Sequence, residues 1–333
     1  MKNSICKPGN FSLPSCQSGL SLVELMISLT IGLVLLAGIT TLISRQSSTR
    51  TEMEKSSRQI ENGRYAIQIL QDDIELAGFY GDYSPPISAT YGVPADPCST
   101  STTPADQGWA SATPTVPVAI SGYPGTSTAP AVVPTCVTDR KAGTAILVLR
   151  RTATTTTEVA AAVAGTTYLQ VSRCNSDTSP FILGTGSFTL KQKNCTTLAP
   201  LWPNIVRIYY ISTCSICGTG GDTIPTLKMV EFVGGIQTII PLVEGIEDMQ
   251  FDYGVDSTND GAPDSYTTTP ATWADVMTVR VNLLARNIDP TPGYTDTKTY
   301  TLGGAAPITP GGAYKRHVYT QLIRAVNPSG RRE

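Results

Sequence analysis

Nineteen consecutive residues without a charge, Leu25 to Ile43, constrain this chain more than any other feature. At about 1.5 Å per residue, a helix of that length nearly crosses a hydrocarbon core of roughly 30 Å. Lys2 and Lys7 precede the run and Arg45 closes it. Residues 1–19 carry no acid and no long apolar core of their own, so they are not built as an ordinary secretory signal. Positive charge ahead of the run directs residues 1–19 to the cytoplasm and the body outward. Glu24 interrupts the pattern at the shoulder of the run. A carboxylate at that depth is costly and is usually kept for a function, with a partner. The plainer reading is a glutamate at the membrane interface of a simple anchor.

The order of residues around Glu24 carries a family likeness. Gly19-Leu20-Ser21-Leu22-Val23-Glu24-Leu25-Met26 resembles the class III leader junction of type IV prepilins and type II secretion pseudopilins. A small residue, an apolar block, a Glu and a long apolar helix follow in the family's order, although Leu20 stands where Phe is commonest. The resemblance implies that a prepilin peptidase cuts after Gly19 and that the new amine of Leu20 becomes N-methylated. It also gives Glu24 a role. In a bundle of apolar helices its carboxylate is unfavourable alone, and the Leu20 ammonium of a neighbouring subunit would neutralise it. Such a pair contributes register more reliably than stability.

Beyond Arg45 the chain is polar but free of proline until Pro85. Arg50, Lys55, Arg58 and Arg64 alternate with Glu52, Glu54 and Glu61, as on a solvated helix. Ile60, Ile67, Leu70 and Ile74 form an apolar stripe suited to lie on a sheet. The helix is expected to run from Leu20 to a C-cap at Gly78. Gly32, Gly38 and Gly63 are either points of unwinding or points of close helix packing. The stretch Gly63 to Gly81 resembles the Arg-Tyr-Ala, Leu, Asp-Ile, Ala-Gly-Phe/Tyr pattern of PilW-type minor pilins and the related J-type pseudopilins.

The domain reading follows: leader 1–19, hydrophobic helix 20–44, amphipathic continuation 45–81, a Pro/Thr/Ser-rich insertion 82–142, and a β-rich head 143–333. The insertion shows no periodicity and reads as a long irregular loop. Strands are expected at Thr144–Arg150, Tyr168–Val171, Ile205–Ile211, Leu227–Val233, Ile236–Ile240, Ile246–Tyr253, Val276–Ala285 and His317–Val326, with Gly234-Gly235 as a turn. Antiparallel strands against one long helix make an α+β layered fold, the pilin-like architecture that the resemblance implies. Val276 to Arg286 also looks like the late strand of PilW-type proteins.

Cleavage after Gly19 would remove Cys6 and Cys16 from the eight cysteines. The other six would face an oxidising space and read as up to three disulfides, with 15 pairings open. Our expectation is Cys98 with Cys136, and Cys174, Cys195, Cys214 and Cys217 pairing among themselves. Cys214-Ser215-Ile216-Cys217 also allows a zinc knuckle or a redox pair. A four-Cys zinc site needs a second close pair, and there is no thioredoxin-like βαβ setting for redox work. A calcium loop is a further reading of Asp256 to Asp264. Asp256, Asp260 and Asp264 fall at the first, fifth and ninth positions and Gly261 at the sixth. Thr258 stands where an Asp belongs and Thr267 where a Glu does, so a polar turn accounts for the same residues. The sequence requires no cofactor, and calcium ranks ahead of zinc among those it raises.

A net charge of −2 gives no basic surface for nucleic acid. One histidine, His317, leaves no material for a His-based triad or a multi-His metal site. There is no Gly-x-Ser-x-Gly, no glycine-rich phosphate loop and no HExxH, so an enzyme is not expected. Glu247 and Asp248 adjoin, but neighbours on a strand face opposite ways. The resemblance implies a minor pilin in the inner membrane, body in the periplasm, then in the pilus at the cell surface. Its implied partners are the prepilin peptidase, the inner-membrane assembly platform, the other minor pilins, the major pilin and a large tip adhesin. Alternatives are a J-type pseudopilin of a type II secretion system and a membrane-anchored tip adhesin or binding module.

Overall fold

The computed structural model describes residues 21–86, 88–94, 96–125, 134–233 and 236–333, and the chain divides into two compact units, 1–53 and 54–333. Helix α1, Leu22–Leu76, runs for 55 residues. It continues unbroken through Gly32, Gly38 and Gly63, so none of these unwinds it. In the first unit its apolar side chains from Leu22 to Ile43 are exposed, and the helix is long and apolar enough to cross a membrane. Its hydroxyls fold back on the helix: Ser28 donates to the Leu25 carbonyl and Thr30, Thr40 and Thr41 donate to carbonyls one turn back. A span without water needs its polar groups satisfied internally in this way.

In the second unit α1 buries Gln59, Gly63, Ala66, Leu70, Asp73 and Ile74. This face is rotated from the stripe the sequence suggests, and Ile60 is 42% exposed. Close approach explains the difference. A Cβ on Gly63 would lie 2.3 Å from the Tyr319 ring, so only glycine lets helix and strand meet there. Gln59 donates to the Ala285 and Lys315 carbonyls at 2.8 and 3.1 Å. The helix stops at Gly78, whose φ of +74° suits glycine and whose N–H bonds the Arg150 carbonyl.

Two antiparallel sheets receive this face. The first contains β10 (Ile246–Val255), β11 (Ser265–Thr267), β12 (Val276–Arg286) and β13 (Arg316–Arg324), in the order β11-β10-β12-β13. The second contains β3 (Ile120–Tyr123), β4 (Ile146–Thr152), β5 (Tyr168–Val171), β6 (Phe181–Gly184) and β7 (Leu201–Ser212), in the order β3-β4-β7-β5-β6. β8 (Thr226–Val233) pairs with β7, and β9 (Ile236–Glu244) with β8. The α+β class holds. Ala66, Leu70 and Ile74 of α1 share one core with Leu149, Tyr209, Met229, Phe251 and Val281.

The described residues of 82–142 carry more regular structure than the composition suggests. They contain β1 (Thr90–Gly92) and β2 (Thr115–Pro117), paired in parallel, and β3, which joins the second sheet beside β4. Cys98 and Val137 cover the sheet's outer face, packing on Ile146, Val148, Ile208, Tyr210 and Val230. A strand buried on both faces shows no alternation, which is why Ile146 to Leu149 is continuously apolar. The apolar residues that signal this cover are scattered among prolines and threonines, so no period betrays them.

One carboxylate fastens the helix to the second sheet. Asp73 Oδ1 accepts Arg151 Nε at 2.8 Å and Arg207 Nη1 at 3.0 Å, and Oδ2 accepts the Tyr209 hydroxyl at 2.8 Å. Asp73 is 3% exposed. Burial, and then the Asp73 charge, push the Tyr209 hydroxyl upward, so it stays a donor. Removing the acid would leave Arg151 buried without its counter-charge, which costs about 3–5 kcal/mol. We expect Asp73→Ala to lower the unfolding free energy of the detergent-solubilised chain by that amount in denaturant titrations. Asp72→Ala, one position away and exposed, should change it by less than about 0.5 kcal/mol. Equal effects at the two positions would refute the clamp.

Candidate functional site

Glu24 stands in the first turn of α1, exposed, within the first unit. The helix there offers its carboxylate to any neighbour placed alongside. Gly19 and Leu20 lie outside the described residues, as do Cys6, Cys16 and the Gly234-Gly235 turn.

The six body cysteines pair as Cys98–Cys136, Cys174–Cys195 and Cys214–Cys217. The first ties the two ends of the outer cover. Among the described residues, one group of three metal-type ligands comes together: Asp139, Cys214 and Cys217. Its sulfurs are bonded to each other, so they cannot serve as zinc thiolates. Asp139 instead accepts Lys228 Nζ at 2.9 Å, the Tyr210 hydroxyl at 2.7 Å and the Ser212 hydroxyl at 2.8 Å. Burial alone would raise the Asp139 carboxyl, but these donors hold it below the usual range. The group is a half-buried polar tie between the cover and β7 and β8.

In the loop after β10 the acids counted as calcium ligands accept N–H donors of the loop itself. Asp256, fully buried, accepts the backbone N–H groups of Thr258 and Asn259 on Oδ1, at 3.1 and 2.6 Å, and of Gly261 on Oδ2 at 2.9 Å. Asp264 accepts the Ser257 N–H and hydroxyl, both at 2.7 Å, and Asp260 accepts the Ala262 N–H at 2.9 Å. The positive charge comes from Arg332, whose guanidinium reaches Asp256 Oδ2 at 3.2 Å and Asp275 Oδ1 at 2.6 Å. Thr258 donates its N–H to Asp256 Oδ1 at 3.1 Å and to Asp264 Oδ2 at 3.1 Å. Asp256 and Asp264 cap the turn, and Asp256 also holds Arg332. Sequence reading missed Arg332 because the pair spans 76 positions.

Glu247 and Asp248 are engaged separately. Arg316 and Lys141 surround Glu247, while Asp248 accepts Gln250 Nε2 at 2.9 Å. Arg316 also binds Asp296 at 2.7 Å, so this cation is fully matched beneath β13.

Two family models match the chain. The prokaryotic N-terminal methylation motif matches residues 14–40. The type IV pilus-assembly protein W (PilW) model matches residues 208–327. No curated protein and no solved structure matches. The likeness to PilW-type pilins thus rests on two separate stretches, the apolar helix and the strands from β7 to β13. Gly63 to Gly81 falls outside both.

Burial alone would raise the Asp256 carboxyl, but the Gly261 N–H, the Arg332 guanidinium and the Asn259 N–H hold it below the usual range. A depressed folded value gives stability that is complete above the unfolded value, near pH 4, and is lost as pH falls through the folded one. The gap in unfolding free energy between the wild type and Asp256→Asn should be constant from pH 7 to about 5 and narrow below about 4. Denaturant titrations across that range measure it. A gap that widens in acid would contradict the assignment.

Proposed function

We propose that this type IV pilus-related chain is a minor pilin of the PilW type. The carrying observation is one of arrangement. A methylation motif leads into an exposed apolar helix, and the same chain ends in a disulfide-braced β-body that matches the PilW model. An anchor alone would need neither the motif nor the match in the body.

In this reading a prepilin peptidase cuts after Gly19, Leu20 is N-methylated, and α1 holds the protein in the inner membrane with the body in the periplasm. The assembly platform then raises it, with other minor pilins and the major pilin, to initiate the fibre or occupy its tip beside a large adhesin. Glu24 sets the axial position by meeting the Leu20 ammonium of a neighbour. An ion pair inside an apolar bundle acts by excluding other registers, since any shift strands a charge in hydrocarbon. The head supplies a rigid surface: hydrogen-bonded sheets, three disulfides and buried ion pairs leave little to rearrange on assembly.

Co-expression with a prepilin peptidase tests the processing. N-terminal sequencing and mass spectrometry should find a chain beginning at methylated Leu20. An uncut chain, or one cut elsewhere, would end the proposal. Glu24→Gln and Glu24→Ala should be processed normally yet restore filaments poorly in a strain lacking the protein. Normal piliation by both would remove the role assigned to Glu24.

A further inference from the structure

The Cys214–Cys217 disulfide differs from the other two in exposure, loop length and charged surroundings. Of the six body cysteines only Cys217 is exposed, while its partner Cys214 is buried. Cys98, Cys136, Cys174 and Cys195 are buried or half-buried. The pair closes an interval of 3 residues, against 38 and 21. A cross-link restrains the unfolded chain less as its loop shortens, so this is the bridge whose loss costs the fold least. Hydrogen bonds hold the loop independently of the sulfurs. Asp222 accepts the Ser215 and Ile216 N–H groups, each at 2.8 Å, and the Ile224 N–H at 2.9 Å. Its own N–H donates back to the Ile216 carbonyl at 3.0 Å. Opening the bridge therefore leaves residues 214–217 in place.

Both signs of charge meet at the exposed sulfur. Cys217 Sγ accepts Lys228 Nζ at 3.2 Å and lies 3.2 Å from Asp139 Oδ2. Lys228 is only 4% exposed, and Asp139 Oδ2 at 2.9 Å is its counter-charge. These groups suit the reduced sulfur in either form. A thiolate on Cys217 gains an ammonium, which favours ionisation, and a protonated thiol gains a carboxylate acceptor. We propose that Cys214–Cys217 is an exchange site for external thiols, opening reversibly to a dithiol while Cys98–Cys136 and Cys174–Cys195 stay closed. An incoming thiolate bonds to Cys217 Sγ and breaks the bridge, and the electron pair leaves on Cys214 Sγ, which takes a proton from solvent. A second thiolate then attacks the incoming sulfur and releases the Cys217 thiolate beside Lys228. Two external thiols are oxidised to one disulfide, and the protein disulfide is reduced to two thiols; the reverse sequence restores it. No βαβ setting is needed, because the external thiol supplies the electrons and the fold supplies only access and charge. The site lies within the body, so it stands apart from processing and assembly at the N-terminus.

The test treats the full chain in detergent, natively and at neutral pH, with reduced glutathione at about 5 mM or with reduced thioredoxin. Acid quenching, alkylation and peptide mapping by mass spectrometry then locate the free thiols and adducts. Thiols should appear at Cys214 and Cys217 at least about tenfold faster than at the other four cysteines. The glutathione adduct should sit on Cys217 and not on Cys214, in a chain that still melts cooperatively. Opening by either reagent supports the site, and the faster one tells whether small or protein thiols use it. In Cys214→Ser the remaining Cys217 thiol should form a mixed disulfide with oxidised glutathione. Adding Lys228→Gln should slow that reaction about threefold or more, as thiolate is lost. Equal opening of the three bridges, an adduct on Cys214, or no opening before the chain unfolds would each overturn the proposal. So would a Lys228→Gln chain that melts normally and reacts as fast as its parent.

Discussion

The body depends on a single buried carboxylate. Asp73 belongs to the helix, yet its three partners come from β4 and β7, 78 to 136 positions away. A hydrophobic face alone would let a helix slide or turn on a sheet, because the hydrophobic effect has no direction. Two guanidiniums and a phenol converging on one carboxylate fix both the rotation and the height of α1. Close packing at Gly63 and the Gln59 side chain add constraints about three and four turns away along the same face. The result is a helix whose angular position is set by polar contacts and whose contact area is set by small residues.

This arrangement shows what the sequence could and could not convey. The apolar run, the helix to Gly78 and most long strands were legible because each follows a local period. The buried face of α1 was not, since Ile60 suggests one orientation while Gly63 and Asp73 demand another. A charge on an otherwise apolar stripe was the available signal, and its partners were far away in sequence. The outer cover was hidden for a related reason. Residues such as Trp109, Val116 and Val137 are buried but stand singly among prolines, so no window averages to a strand.

The Asp256 loop teaches the complementary lesson. Spacing of acids predicted where side chains would converge, and Asp256 is indeed the centre of a turn. Spacing could not tell whether the acids would face a cation or an amide. Gly261, at φ +82°, and Asn259, at +62°, aim successive N–H groups inward, and Arg332 completes the charge balance. Distant pairing decided the chemistry of a locally obvious motif. The same holds for the cysteine pair at 214 and 217, where Asp139 and Lys228 arrive from the cover and β8.

The order of the disulfides has a consequence for biogenesis. Each described cysteine is bonded to the next one along the chain, closing intervals of 38, 21 and 3 residues without interleaving. If the body is exported in the proposed orientation, its membrane-proximal end emerging first into an oxidising space, a newly exposed thiol would meet its native partner before any later competitor. Of the 15 ways to join six thiols, the correct one is also the one that sequential arrival favours. Vectorial export would thus act as a template for the cross-links, and the body would need little reshuffling after it emerges.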